Sequence, residues 1–296
     1  MRTVFLVLFV ALAPAVVAHP WGGLVVDAAG AVYFTFVCPP VSENHVACVW
    51  RLGPGETEPQ PALISGSDPS DMVLARTPGR VVYAAERVGS HPFRARLWRF
   101  DADGRPEEVL PLVGPRDFTP DPYTVTDDGT IYFQHDGAVW SRTAKSAPVR
   151  VRDAPERLSN LEALADGTLV SVSGGDLWRG TQRIARNLKR EDPPGLPFSG
   201  ANILFDLAID GDQAYLAYYG NREVLRVGPS GSAETLLEAE SPWSPSGVDV
   251  FEGTVYVLES VTPAPAWKFW QDSTLRPRVR AVSPDGSVRV VWEFAL

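Results

Sequence analysis

Residues 123–142 read YTVTDDGTIYFQHDGAVWSR and contain three short runs of β-branched and aromatic residues separated by two turns. Each turn carries Asp-Gly, which is a strong local signal for a β-hairpin. The segment is therefore predicted to form three consecutive antiparallel strands of one sheet.

The same arrangement recurs along the chain. Runs equivalent to TIYFQH are AVYFTF (31–36), RVVYAAE (80–86), TLVSVS (168–173), QAYLAYY (213–219) and TVYVLE (254–259). Runs equivalent to VWSR are VWRL (49–52), LWRF (97–100), LWRG (177–180), VLRV (224–227) and VRAV (279–282). A repeat of about 40–50 residues with about four short strands per copy is typical of a β-propeller.

An inner and an outer strand complete each copy, as in YTVTDDG (123–129) and PVRVR (148–152). No amphipathic helix of useful length is visible, so residues 19–296 are predicted to form a single all-β domain. The fold class is a six-bladed β-propeller of four-stranded antiparallel blades. Every copy runs from inner to outer strand, which predicts that the ring closes by packing, without a strand borrowed from the other terminus.

The ends and the composition of the chain bear on its location. Residues 1–18, MRTVFLVLFVALAPAVVA, have the basic, apolar and small-residue order of a secretory signal peptide, which predicts a periplasmic or extracellular protein. The chain has only two cysteines, Cys38 and Cys48, which are expected to form a disulfide in such a compartment. The alternative is free thiols. The net charge of −9, without basic runs, argues against nucleic acid and anionic membranes as partners. A monomer is expected.

Residues 19–56 and 244–291 resemble the NHL-type repeat and its relatives among the gluconolactonase-like and strictosidine-synthase-like six-bladed propellers. The resemblance implies the fold over all six repeats. The gluconolactonase-like enzymes have a metal site of acidic and amide side chains at the central axis, so the resemblance also implies a site of that kind. The turn that supplies an Asn ligand there reads PSGV here, with Ser246 in the Asn position. Phe36 stands where NHL-like repeats commonly place an Asp at the end of the second strand.

The second strands can be compared by aligning their central Tyr or Val, and their last residues differ most between copies. Two carboxylates and one imidazole in this set would lie near one rim and could bind a cation or a ligand if burial shifted their pKa values. Alternatively they cap strand ends. The six residues are Phe36, Glu86, His135, Ser173, Tyr218 and Glu259.

Acidic and amide residues also occur where the inner strands begin. Oxygen ligands near the axis would suit calcium or another divalent cation, although no cofactor is firmly implied. Alternatively, Asx side chains start strands by bonding to their own backbone. The weak metal candidates are Asp71, Asn160, Glu162, Asn202 and Asp206.

Loop length is a third irregularity. The segments between second and third strands are long in blades six, one and two, which are neighbours in a closed ring. The blade-six segment carries Trp267 and Trp270 beside Arg276 and Arg278, a combination that suits a sugar, an aromatic ligand or a partner protein, or that forms a local core. The recurring Trp50, Trp98, Trp140 and Trp178 are instead predicted to pack between sheets.

These observations predict an exported, NHL-like propeller that acts as a binding module through its loop-rich face. The expected partner is a small molecule, a carbohydrate or another exported protein. The alternative is a metal-dependent hydrolase or lactonase of the gluconolactonase-like type, and whether the protein is an enzyme stays open at this point.

Overall fold

The computed structural model describes residues 23–38, 46–66, 70–89, 92–154, 157–188, 204–261 and 276–294. These residues form 24 strands in six sheets, and they contain no helix. In this part of the chain, accordingly, no helix has the length and hydrophobicity needed to span a membrane.

The strands fall into four classes by their position in each blade. The inner strands are β1 (Leu24–Val26), β5 (Ser70–Arg76), β9 (Tyr123–Val125), β13 (Leu158–Ala163), β17 (Leu204–Asp210) and β21 (Trp243–Phe251). The second strands are β2 (Val32–Val37), β6 (Val82–Val88), β10 (Ile131–His135), β14 (Leu169–Ser173), β18 (Gln213–Tyr218) and β22 (Thr254–Val261). The third strands are β3 (Ala47–Leu52), β7 (Arg94–Phe100), β11 (Ala138–Arg142), β15 (Asp176–Arg179), β19 (Glu223–Val227) and β23 (Pro277–Val282). The outer strands are β4 (Gln60–Ile64), β8 (Pro106–Val113), β12 (Val149–Asp153), β16 (Gln182–Ala185), β20 (Ala233–Glu238) and β24 (Val288–Glu293).

Each sheet is built from four consecutive strands paired antiparallel in chain order. The structure thus confirms the predicted six-bladed propeller. Antiparallel order also places all inner strands in one direction along the axis. We call the end where they begin the entry face, and the end where they finish the exit face. The second and outer strands end on the entry face, where the third and inner strands begin. The turns that join inner to second strands and third to outer strands lie on the exit face.

The hydrophobic core is divided among the contacts between neighbouring blades. Six principal clusters of buried side chains each combine residues of two adjacent blades, as Tyr33 and Phe100 do between blades 1 and 2. Of the four recurring tryptophans, Trp50, Trp98 and Trp140 pack against these clusters, as the repeat predicted. The indole of Trp178 lies 5.5 Å from the guanidinium of Arg183 instead.

The ring closes between blade 6 and blade 1 by packing. No described strand of one blade joins the sheet of the other, which confirms the prediction made from strand order. Leu24 and Phe34 of blade 1 share a core cluster with Leu258 and Val279 of blade 6. The backbones approach so closely that a Cβ on Gly247 would lie 2.9 Å from the backbone nitrogen of Leu24. Glycine is therefore required at this junction.

Two carboxylates, one from blade 5 and one from blade 6, bind the backbone of β1. Oδ2 of Asp249 accepts a hydrogen bond from the backbone N–H of Val26 at 2.7 Å. Oδ2 of Asp206 accepts from the backbone N–H groups of Leu24 at 3.4 Å and Val248 at 3.0 Å. We call Asp206 and Asp249 the closure carboxylates. They supply acceptors to the inner edge of β1, whose backbone would otherwise carry buried, unpaired donors.

The cysteines behave as predicted. Cys38, directly after β2, and Cys48, in β3, form a disulfide with their Cα atoms 5.3 Å apart. The bond links two adjacent strands of blade 1 at the entry face, on either side of the segment 39–45. The predicted signal peptide, residues 1–18, lies outside the described residues and stays a prediction.

The closure carboxylates should be essential for stability. Asp249→Ala removes the acceptor of Val26 and an ion-pair partner of the buried Arg76, so we expect the free energy of unfolding in urea to fall by about 3–5 kcal/mol. The matched control Asp212→Ala, in the exposed exit-face turn of blade 5, should stay within about 0.5 kcal/mol of the wild type. A loss below about 1 kcal/mol for Asp249→Ala would contradict this account.

Candidate functional site

The side chain of Arg76 crosses the central axis from blade 2. Its Nε lies 2.9 Å from both Oδ1 and Oδ2 of Asp249 in blade 6, and a terminal nitrogen lies 3.1 Å from Oε1 of Glu162 in blade 4. The same nitrogen donates to the carbonyl oxygen of Ile209 in blade 5 at 3.3 Å. One buried guanidinium therefore connects four blades.

A second arginine completes the closure of the axis at the exit face. Arg80 donates to the carbonyl oxygen of Val26 at 3.0 Å and to that of Val250, and it lies 3.5 Å from Oδ2 of Asp249. Its guanidinium carbon is 5.0 Å from the centre of the Phe251 ring. The backbone of Arg80 has φ of +67°, a strained value for a non-glycine residue, which these contacts across three blades offset.

We call Arg76, Glu162, Asp206 and Asp249 the axial cluster. All four line a cavity of about 40 Å³ on the axis, which has room for roughly two or three water molecules and for no organic ligand. A solute therefore cannot pass along the axis from one face to the other. The cluster therefore fills the axis, and the same side chains hold the blades together at the ring closure.

Burial controls the protonation of the cluster. It raises the pKa of Glu162 to about 7, while the nearby Arg76 cation acts to lower it. Burial also raises the pKa of Asp206 well above its ordinary range, against the effect of three backbone N–H donors. For Arg76, burial disfavours the cation, but Asp249 and Glu162 outweigh that effect and raise its pKa. The arginine stays charged, and Glu162 gains a proton on acidification near neutral pH.

A different charged group lies at the entry face, between blades 2 and 3. Oδ2 of Asp71, at the start of β5, accepts a hydrogen bond from Arg87 at 3.2 Å. Burial raises the pKa of Asp71 to about 7; Arg87 acts to lower it, and Asp121 adds to the rise. The guanidinium of Arg87 also lies 5.6 Å from the centre of the Phe93 ring. A carboxyl group that titrates near neutrality beside a cation is a common element of ligand sites.

Glu86 occupies the interface between blades 1 and 2. Its fully buried carboxylate accepts hydrogen bonds from Arg96 at 2.6 and 3.0 Å, from Nε1 of Trp98 at 3.1 Å and from the hydroxyl of Ser65 at 2.6 Å. Burial acts to raise the pKa of Glu86, but these donors together lower it. Every contact is accounted for by packing of the two blades.

Glu259 is its counterpart in blade 6. It is fully buried and forms ion pairs with Arg278 and Arg280 on β23. Glu259 follows Val257 on the face of β22 that packs against blade 5. The two glutamates therefore lie in different interfaces, and the structure does not bring them together.

The other second-strand residues also turn between blades. Tyr218 is fully buried in the cluster between blades 4 and 5, and Phe36 packs in the cluster between blades 6 and 1. Ser173 is buried, and Nε2 of His135 lies 3.2 Å from Oδ2 of Asp136. A ligand-binding role for Glu86, His135, Tyr218 or Glu259 is untested and stays a prediction.

Of the weak metal candidates, Glu162 and Asp206 meet in the axial cluster, and Asp71 lies apart at the entry face. Asn160 donates to the carbonyl oxygen of Phe205 at 3.2 Å, and its buried Oδ1 has no hydrogen-bond partner. Within the described ranges, no three His, Cys, Asp or Glu side chains are placed to hold a metal ion. Predicted site residues outside the described residues are Asn202, Trp267 and Trp270.

The sequence interpretation missed Arg76, Arg80 and Asp249. A signal was present, because Arg76 ends the apolar run MVLA and Asp249 interrupts VDVF, both inner strands that a propeller buries. Charged side chains are almost never fully buried unless they are paired. An arginine and an aspartate that both lie on buried inner strands could therefore have been predicted to form an ion pair with each other.

No protein-family model and no curated protein matches the chain. Solved structures do match. The chain is similar to a streptogramin B lyase, with a TM-score of 0.52 and 12% identity over 93% of this chain and 83% of that chain. It is also similar to TolB from Acinetobacter baumannii, with a TM-score of 0.56 and 16% identity over 89% of this chain and 63% of that chain.

A gluconolactonase from Xanthomonas campestris is another match, at 22% identity over 53% of this chain and 55% of that chain. Its TM-score of 0.38 is too low to carry an argument. The likeness to the lyase and TolB structures confirms the propeller fold that the repeat resemblance implied, and at these identities it shows the fold alone.

The raised pKa of Glu162 predicts a specific pH dependence. Between its ordinary pKa of 4.5 and about 7 the folded protein binds a proton that the unfolded chain has released, so this group makes folding less stable as the pH rises. Glu162→Gln should remove the effect. Its free energy of unfolding relative to wild type should rise from pH 5 to pH 8, by up to about 3 kcal/mol in urea titrations.

Glu252→Gln, in an exposed exit-face turn, is the matched control and should change little between the two pH values. If Glu162→Gln shows the same pH dependence as the wild type, Glu162 is ionised in the folded protein at both pH values and the account of the axial cluster is wrong.

Proposed function

We propose that this protein is an exported β-propeller that binds its ligand or partner through the entry face. The observation that carries the proposal is the asymmetry of the two ends of the ring. At the exit face the axis is filled by Arg76 and Arg80, and the blades end in short turns. At the entry face, β5 begins with Asp71, a buried carboxyl group that no ring-closing contact uses.

The group formed by Asp71, Arg87 and Phe93 supports the entry face as the binding surface. It combines a carboxyl group, a cation and an aromatic ring within contact distance. Ligand sites combine apolar surface with a few polar groups in this way. The long segments that the sequence places between second and third strands of blades 1 and 6 also begin and end on this face.

The exit face also has a cavity, of about 210 Å³, between the turns of blades 1 and 2. Its carboxylates are already engaged, because Asp27 accepts from the backbone N–H groups of Ala29 and Ala31, and Asp101 from those of its own turn. This cavity is smaller than the usual ligand pocket of about 300–1,000 Å³. It serves as the internal comparison for the experiment.

Binding is favoured over metal-dependent hydrolysis. Among the residues that the structure describes, no three His, Cys, Asp or Glu side chains are placed to hold a metal ion, and Glu86, Asp249 and Glu259 form ion pairs with arginines. The proposed partner is a small molecule, a carbohydrate or another exported protein. The hydrolase alternative can be checked directly by adding calcium or zinc to chelator-treated protein and measuring the melting temperature.

The entry-face proposal is tested by thermal unfolding with a panel of sugars, amino acids and short peptides. We expect at least one compound to raise the melting temperature. Asp71→Asn and Arg87→Gln should each lower the affinity for that compound at least about fivefold, because each removes a charged contact. Ala102→Trp, which fills the exit-face cavity, should leave binding unchanged. Loss of binding in Ala102→Trp alone would assign the site to the other face.

Export is tested on the protein recovered from cells that secrete it. We expect the purified chain to begin at His19 and to contain no free thiol, because the signal peptide is removed and Cys38 and Cys48 are joined. Mass spectrometry with and without reduction measures both. An intact Met1 in protein recovered from the cytosol would contradict the export proposal.

A further inference from the structure

Three arginines alternate along the start of the third strand of blade 6. Arg278 and Arg280 lie in β23, and Arg276 directly precedes the strand. Arg278 and Arg280 both pair with Glu259, and Arg276 and Arg278 both lie against the ring of Trp243, so the three side chains share one face of the sheet. This face is the one toward blade 5.

The charges of this arginine ladder do not balance. Glu259 is the single carboxylate paired with it among the described residues, and its two oxygens are taken by Arg278 and Arg280. Glu293, opposite Arg278 on β24, is exposed and forms no ion pair with it. Counted over the described residues, three cations and one buried anion leave a local excess of positive charge in a chain whose net charge is −9.

Arg276 is the member of the ladder that no described carboxylate pairs with. No described carboxylate lies within ion-pair distance of its guanidinium, and its buried Nε has no hydrogen-bond partner. The group is nevertheless held in place, because its guanidinium carbon lies 5.8 Å from the centre of the Trp243 ring, and that of Arg278 lies 4.2 Å from the same centre. The residue as a whole is half-buried, so its terminal nitrogens, and not Nε, are the atoms that an anion from solvent can reach.

The position of the ladder fits a site open to a ligand. Trp243 begins β21 and Arg276 precedes β23, so both lie at the entry face. Trp243 is buried against Ala239 and Val261, which fixes the indole that orients the two guanidinium groups. Planar guanidinium groups held in this way bind the paired oxygens of a carboxylate or phosphate.

We propose that Arg276, supported by Trp243 and Arg278, binds an anionic oxygen group, a carboxylate or a phosphate, at the entry face between blades 5 and 6. The inference rests on the proposed function for the choice of ligand face. The anion site itself depends only on the ladder. The site would select acidic ligands over neutral ones of the same shape.

The test uses inorganic phosphate and glutarate as probes on the full-length protein, with ionic strength held constant by sodium chloride. We expect saturable quenching or enhancement of tryptophan fluorescence by at least one probe. Arg276→Gln should weaken it at least about fivefold, and Arg276→Lys less than that, because lysine keeps the charge but loses the planar fork. Whichever probe binds more tightly identifies the anion as phosphate or carboxylate.

Arg289→Gln is the matched control, since Arg289 is an exposed arginine on β24 of the same blade. It should bind both probes as the wild type does. Unchanged melting temperatures show that the variants are folded. If neither probe saturates, or if Arg276→Gln and Arg289→Gln weaken binding equally, the anion site is refuted. Because the entry-face variants Asp71→Asn and Arg87→Gln are measured with other ligands, that result would leave the proposed function standing.

Discussion

The ring depends on an interaction between carboxylates and the backbone of a three-residue strand. The N–H groups of β1 point to Asp206 and Asp249, two side chains that belong to blades 5 and 6. Arg76 and Arg80 neutralise Asp249 and connect it to blades 1, 2, 4 and 5. Since no described strand is shared across the junction, directional polar contacts and the close packing at Gly247 set the position of blade 1. The same contacts fill the axis, so they also separate the two faces of the ring from each other.

Much of the fold could be predicted from the sequence because its determinants are local. Turn residues, alternating apolar runs and their repetition specify strands and hairpins within a few residues of each other. The order of strands in each copy was enough to predict closure by packing. The disulfide also followed from local spacing and the predicted export. None of these inferences required knowing which side chains meet across the ring.

The site was harder to predict because it depends on contacts between distant blades. The last residues of the second strands were compared as if they met at one rim, but the buried ones turn towards the preceding blade, and each blade has its own interface of that kind. Glu86 and Glu259 therefore turn into separate interfaces, where arginines of the next strand pair with them. Asp249 and Arg76 are 173 residues apart, and sequence gives no measure of that proximity.

Closure without a shared strand has a consequence for how the fold could be rearranged. The described strands begin at β1 and end at β24 on the same face and in adjacent blades, and each of the other five pairs of successive blades is joined between strand ends on that face. Among the described strands, the ring therefore has no topologically unique seam. A circular permutation that opens the chain between two other blades, and joins the end of β24 to the start of β1 by a short linker, would leave all six sheets intact. What distinguishes the junction of blades 6 and 1 is its set of carboxylate–backbone contacts, and the order of the strands along the chain does not distinguish it.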